Sequence, residues 1–386
     1  MPAPRHTPGA RLARPAAALL LLLAPALPAQ SRGRVLPARD SAATGVRVCA
    51  GGDVTVGTNL DTTWVRMAAR RLRTRVRALP NPDSLLAPLR PLVRDADVVL
   101  VNVEGAIGTG AVEKPKCRKG STQCFAFRQP PATARALRRL GGDHAAVIGN
   151  VANNHSGDAG PDGLRETMRR LEGAGVQVTG ADTLATVVVT PAGDTVAFLG
   201  FSTSAGPDPR DLDAVRRHVE RAAARWPRLV VTMHMGAEGA NAQRTRDTTE
   251  MFLGIDRGNP VKFAHAAAEA GADLVVGHGP HVVRALEWQG GTLVAYSLGN
   301  LVTYGPFTLR DPLNRGGLLC ATLGPDGEVL GATLRSTRQR PPGLVAADLG
   351  GTAAALADSL SRLDFPRTGA RLIPEAVVLR PDGRRP

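Results

Sequence analysis

Aromatic residues are the scarcest class in this 386-residue chain: Phe, Tyr and Trp together make up 3% of it. Proteins that hold single-stranded nucleic acid stack bases on aromatic faces. A chain this poor in such faces is not expected to bind nucleic acid, although its formal charge is +14. Lysine is nearly as rare. Of 48 basic residues only Lys114, Lys116, Lys119 and Lys262 are lysines, so arginine carries the charge. An arginine-, alanine- and glycine-rich composition is what a GC-rich coding sequence gives, and a basic surface also draws polyanions.

Cysteine is limited to four residues with no Cys-x-x-Cys among them, which excludes a thiolate zinc site of the usual spacing. Cys117 and Cys124 flank the short basic loop CRKGSTQC and are expected to form a local disulfide. Cys49 and Cys320 both sit in apolar, strand-like runs; they are a second pair if those strands are neighbours, and buried thiols otherwise. Long apolar runs are also missing. The one candidate, Ala16–Leu23, falls short of the roughly 20 residues that span a bilayer. It follows Arg5, Arg11 and Arg14 and precedes small residues and prolines through Ala29, the order of a secretory signal. Residues 1–29 are therefore expected to be a cleaved signal peptide and 30–45 an exposed linker. The mature chain would then be periplasmic or associated with the cell envelope.

What is present is an alternation of apolar runs and amphipathic segments. VRVCAGGD, DVVLVNVEG, HAAVIGNVANNH, RLVVTMHMG and DLVVGHGPH read as buried strands. TWVRMAARRLRTRVRAL and SLLAPLRPLVRDA read as helices, the second capped by Asp83 or Ser84. Strands alternating with helices argue for an α/β fold with a sheet covered on both faces and β-rich additions late in the chain. One domain is expected over residues 46–336. The less patterned residues 337–386 read as a C-terminal appendage with a helix near Thr352–Leu363.

Five of these strands end in side chains suited to holding a metal: Asp53, Glu104, Asn154 with His155, His234, and His278 with His281. In open α/β sheets ligands gather beyond the carboxyl ends of the strands, so distant loops can converge on one crevice. Imidazole, carboxylate and amide oxygen together suit zinc, manganese, iron or cobalt. A bridging carboxylate can hold two such ions about 3.5–4 Å apart, the spacing used in hydrolysis at phosphorus. Taken singly each residue has a plainer reading. Asp53 after two glycines is an ordinary turn residue, Glu104 a helix cap, ANNH a turn, and His234 a structural histidine. Two histidines among glycines and a proline, in a chain with only 8 histidines, ask for more. Around these, Asp158 would orient His155. Arg128 in FAFRQPP would grip a carboxylate or phosphate with its planar fork. Asn300 in YSLGN would line the pocket.

The segments GGDVTVG, NVEG, FAFRQPP, VANNHSGDAG, VTMHMGAEG, GADLVVGHGPHVV and YSLGN occur in that order. Together they resemble the CapA-type poly-γ-glutamate capsule biosynthesis family, a branch of the calcineurin-like metallophosphatase fold. The resemblance covers about Val46–Val302. It implies a four-layer α/β/β/α sandwich and one or two divalent ions. Asp53 and His281 would bind the first ion, Glu104 would bridge, and Asn154, His234 and His278 would bind the second. His155 would act as general acid beside the leaving group. It further implies an anionic polymer or phosphoester substrate and membrane polyglutamate synthase subunits as partners. Three departures from the wider phosphatase pattern stand out: Thr55 where a histidine is usual, Glu104 for Asp, and H-x-x-H for H-x-H. Losing an imidazole at Thr55 should weaken the first site. Two further readings stay open, a non-catalytic polymer-binding or scaffold component and a general periplasmic metallophosphoesterase.

Overall fold

Strands Val98–Val103 and Leu229–His234 are buried at every position, as expected of near-continuous apolar runs covered on both faces. The computed structural model describes residues 45–59, 62–109, 116–117, 124–374 and 376–386; the expected signal peptide and nearly all of the linker lie outside them. The described residues belong to one unit, Ser41–Pro386. They form a mixed α/β fold with two large sheets.

The ten-stranded sheet is centred on Val46–Val56. On one side of it lie, in parallel, Val98–Val103, Ala146–Asn150 and Val176–Thr179. On the other side antiparallel Arg315–Leu323 and Val329–Arg340 follow, while Asn300–Tyr304 pairs with the far end of the central strand. The six-stranded sheet runs Leu286–Gln289, Thr292–Ala295, Leu274–His278, Leu229–His234, Thr195–Ser202 and Thr186–Val189.

Side chains alternate between the two faces of a strand, and the alternation decides where the polar strand ends point. Val48, Ala50, Val98, Leu100 and Ile148 of the larger sheet share one apolar cluster with Val230, Leu274 and Val276 of the smaller. The intervening Val231, Met233 and Val275 face the opposite way, packing with Val215 and Val219 of helix Leu212–Ala223 and with Phe263 and Ala264 of helix Pro260–Glu269. Counting on in twos along the inner face leads to Asn102, Asn150, His234 and His278. Four polar residues thus close the carboxyl end of the cluster shared by the two sheets.

Asp53 reaches the same place by an irregularity. VRVCAGGD does not end as a strand at its glycines; the strand continues to Val56. Its register shifts between Ala50 and Asp53 against one neighbour and between Asp53 and Val54 against the other. Such a bulge re-aims a side chain. The glycines permit the close approach it needs, since a Cβ on Gly52 would lie 1.9 Å from the Gly299 carbonyl oxygen.

Other boundaries also differ from the sequence reading. The first helix stops at Arg71, and the arginine-rich 74–81 is not helical. Helix Pro82–Leu86 is capped by Asn81, whose Oδ1 accepts from the Asp83 amide, so neither Asp83 nor Ser84 is the cap. Residues 337–386 are not an appendage: position 336 falls inside strand Val329–Arg340, and Leu344–Ala347 and Val377–Leu379 both pair with that strand. Helix Thr352–Asp364 places Ala353, Ala354 and Ala357 in the cluster shared by the sheets. Strands of two to four residues are too short to show a period, which is why this region looked unpatterned.

Cys49 and Cys320 face each other on paired antiparallel strands and are disulfide-bonded; Cys117 and Cys124 form the second disulfide. Among the described residues no helix is long and apolar enough to cross a membrane.

Candidate metal centre at the strand ends

Asp53 is the hub. It is fully buried, and Asn102 Nδ2 donates to its Oδ1 at 2.8 Å. His281 Nδ1 lies 3.0 Å from its Oδ2, and His278 Nδ1 lies 3.6 Å from its Oδ1. Glu104, also fully buried, places Oε1 3.7 Å from His281 Nε2 and 3.8 Å from His234 Nε2. One ligand atom from each of Asp53, Glu104 and His281 falls within a 4.8 Å group. Thr55, where an imidazole was missed, donates from its hydroxyl to Glu104 Oε2 at 3.4 Å.

The polar atoms left over test whether this set suits a metal. Buried polar atoms nearly always have a hydrogen-bond partner. Here Glu104 Oε1, His234 Nε2, both ring nitrogens of His278 and Asn154 Oδ1 are buried without one among the described residues. Leaving such a group unsatisfied costs about 1–3 kcal/mol, so a cluster of them is a site waiting for a common partner. Nitrogen and carboxylate donors in this mix fit a borderline divalent ion. Protonation agrees. Burial pulls His278 down to about 4 and His234 well below its ordinary value, so both rings are neutral, the form that binds metal. Burial, then the charges of Asp53 and Glu238, push Glu104 up to about 8 against the opposing pull of His281. Burial works against the charged form of His281 too, but Glu104, Asp53 and Glu238 outweigh it and lift that histidine to about 10. In metal-free protein the charge of Asp53 is thus balanced by His281, while burial holds Glu104 towards its neutral form.

Backbone geometry explains Gly279 between the two histidines, since its φ of +105° is one that other residues rarely adopt. His281 has φ +60°, a left-handed conformation uncommon outside glycine. Asn300 fixes it there: Nδ2 donates to the His281 carbonyl at 3.2 Å, and Oδ1 lies 3.1 Å from His281 Nδ1. Asn300, expected to touch substrate, is engaged in holding a histidine.

His155 sits to one side, with Nδ1 2.7 Å from Asp158 Oδ2 and its ring 4.2 Å from that of Phe127. Burial lowers its pKa, against the raising effect of Asp158. Lys116 Nζ donates to Asp158 Oδ1 and to the Asn154 carbonyl, each at 2.8 Å. Asn154 Nδ2 donates to Glu238 at 3.5 Å. Arg128 lies on strand Phe127–Gln129, and its charge helps lower Glu166 on helix Gly160–Gly173, after the stronger effect of Arg170.

Two residues were missed. Asn102 spends its whole amide here: Nδ2 serves Asp53 and lies 3.2 Å from His234 Nδ1, while Oδ1 accepts from Asn150 and Asn153. Its signal was present, two residues before Glu104 on the same strand face. Glu238 reaches His281 Nε2 at 3.7 Å and pairs with Arg257 at 2.9 Å. It lies in a loop, where no periodicity marks it, and only its place four residues after His234 hinted at it.

Comparison with known proteins bears directly on these strand ends. A family model described as "Bacterial capsule synthesis protein PGA_cap" matches residues 47–304, well over half of the chain and every residue of the centre. The chain belongs to this capsule synthesis family. Among its relatives are the PGA biosynthesis protein CapA of Bacillus subtilis, 27% identical over 57% of this chain and 57% of that protein, and the capsule biosynthesis protein CapA of Bacillus anthracis, 24% identical over 57% and 54%. A Mycobacterium tuberculosis protein named as a probable polyglutamine synthesis accessory protein is 30% identical over 53% of this chain and 55% of that one. The chain thus spans about half the length of the curated relatives it matches.

Proposed function

We propose that this member of the capsule synthesis family is an exported protein with a metal-dependent hydrolase-type centre that acts on an anionic poly-γ-glutamate-like polymer. The body is read as a four-layer α/β/β/α sandwich of metallophosphatase type, with two sheets sharing one cluster and helices on the outer face of the smaller sheet. The observation that carries the reading is the set of partnerless buried donors gathered around Asp53. Asp53, Glu104, Asn154, His234, His278 and His281 would hold one or two divalent ions of the manganese, zinc, iron or cobalt kind. When bound, such an ion supplies Lewis-acid polarisation of a substrate oxygen.

The chain's own residues do the rest. Asp158 holds His155 through Nδ1 and leaves Nε2 as the nitrogen that exchanges a proton with the departing group. A positioned acid of this kind contributes about 10²–10⁴-fold. Asn300 and Asn102 keep His281 and Asp53 in place. Two disulfides fit an oxidising compartment, which supports export. The accessory role named for the mycobacterial relative supports partnership with membrane polyglutamate synthase subunits. The test is metal analysis of the purified protein beside Asp53→Ala and His278→Ala, with turnover of poly-γ-glutamate and phosphodiesters. Unchanged metal content and turnover in both variants would end the reading.

Thr55 favours a second reading, a non-catalytic polymer-binding or scaffold component. Its hydroxyl occupies the place of an imidazole and bonds Glu104 rather than offering a ring nitrogen. Turnover by the wild type that is abolished in His155→Ala removes this alternative.

A further inference from the structure

The loop between strand Leu229–His234 and helix Pro260–Glu269, with Arg284, lines an open cavity of about 340 Å³ whose residues include Ala237, Arg244, Arg246, Glu250 and Met251. That is the low end of the roughly 300–1,000 Å³ of small-ligand clefts, room for one or two residues of a chain. Its charge is settled by its pairings. Arg284 is 1% exposed and donates to both carboxylate oxygens of Glu250, at 2.8 Å each, while its Nε donates to the Ala242 carbonyl. The acid in the wall is thereby cancelled. Arg244 is tethered to Asp364 through Nε and remains partly exposed. Arg246 is exposed, and no hydrogen bond or ion pair of its guanidinium is found among the described residues. The lining therefore offers an unused guanidinium beside a second arginine, with its carboxylate already spent.

The cavity adjoins the centre. Ala237 in its wall precedes Glu238, whose carboxylate reaches His281, and the Ala237 amide donates to Glu250. Arg284 is three residues beyond His281. Gly239 N donates to the Pro280 carbonyl and Met235 N to the His278 carbonyl, so the arginine-bearing loop is stitched to the loop that carries both histidines.

We propose that this cavity is a carboxylate-binding subsite that holds one glutamyl carboxylate of an acidic polyamide chain while a neighbouring unit lies at the centre. Arg246 is the gripping residue and Arg284 the rigid wall that silences Glu250. A planar fork matches a carboxylate through two parallel bonds, which a lysine cannot copy. The inference rests on the reading of the chain as acting on an anionic polymer.

The test is equilibrium binding of a γ-linked glutamate oligomer to the full chain, with the neutral γ-linked glutamine oligomer as control. Arg246→Glu should weaken glutamate-oligomer binding at least tenfold and Arg246→Lys by less, with the glutamine oligomer binding poorly throughout. The metal content of both variants should equal that of the wild type. Oligomer binding by Arg246→Glu equal to the wild type overturns the subsite while leaving the polymer reading intact. No glutamate-oligomer binding by the wild type overturns the polymer reading and the subsite with it. Equal binding of both oligomers also overturns the subsite, because it shows that charge is not what is read.

Discussion

His281 Nδ1 lies 3.0 Å from Asp53 Oδ2 although 228 residues separate them in the chain. The contact ties the first strand of the fold to the loop that follows strand Leu274–His278, and it couples two charges. Asp53 is pulled well below the usual carboxylate range: burial opposes this, but the hydrogen bond and charge of His281, then the charges of His278 and His234, outweigh it. In metal-free protein, Asp53→Asn should therefore bring His281 down from about 10 towards its ordinary value. An NMR titration of the imidazole reads this directly. A His281 titration unchanged by the substitution would show that the pairing does not govern its charge.

Metal removal should lower stability, because an ion that binds only the folded state stabilises it by mass action, by about 2.7 kcal/mol at a hundredfold excess over Kd. Dialysis against a chelator should lower the melting temperature, and readdition of zinc or manganese should restore it. His278→Ala should start at the lower temperature and stay insensitive to added metal. A wild-type melting temperature indifferent to chelator and to metal would contradict a resident ion.

How much of this could be read in the sequence depended on periodicity. His234 and His278 were visible because each closes a run of buried residues, and the two-residue alternation that hides Val230 and Val276 between the sheets carries on to them. Asp53 was visible as a residue type, but its direction was not, since a bulge rather than the strand period turns it inward. Glu238 was invisible because loops obey no period.

The Glu287 network, away from the centre, makes stability depend on pH in a calculable direction. Glu287 is buried and takes bonds from Tyr296 at 2.6 Å, Thr368 at 2.7 Å and His265 at 3.0 Å. The Glu287 hydrogen bond raises His265, against the effect of burial. A raised histidine adds stability that is complete below its ordinary value of about 6.5 and is lost as pH climbs through the folded value. Burial alone would raise Glu287, but its hydrogen bonds, His265 first, lower it; its contribution is present above the ordinary carboxylate range and fades as pH falls through the folded value. The wild type should lose urea resistance as pH rises beyond about 6.5, and Glu287→Gln should lose much less over the same window. Parallel pH profiles for the two proteins would show that the pair carries no linkage.

Gly279 and Gly239 make a matched pair for testing the histidine loop. Their φ angles are +105° and +103°, so an alanine at either is strained in the same way. Their surroundings differ. A Cβ at Gly279 would stand 3.1 Å from His234 Nε2, whereas at Gly239 it meets nothing within 4 Å. Gly239→Ala should therefore cost only the backbone term, about 1–3 kcal/mol, and keep its metal. Gly279→Ala should carry that cost and also push the His234 ring aside, lowering bound metal as well as stability. Measuring metal stoichiometry and urea midpoint on both separates the two effects: equal stability loss with equal metal retention would mean that the ring of His234 has room to give, and that glycine at 279 serves the turn alone.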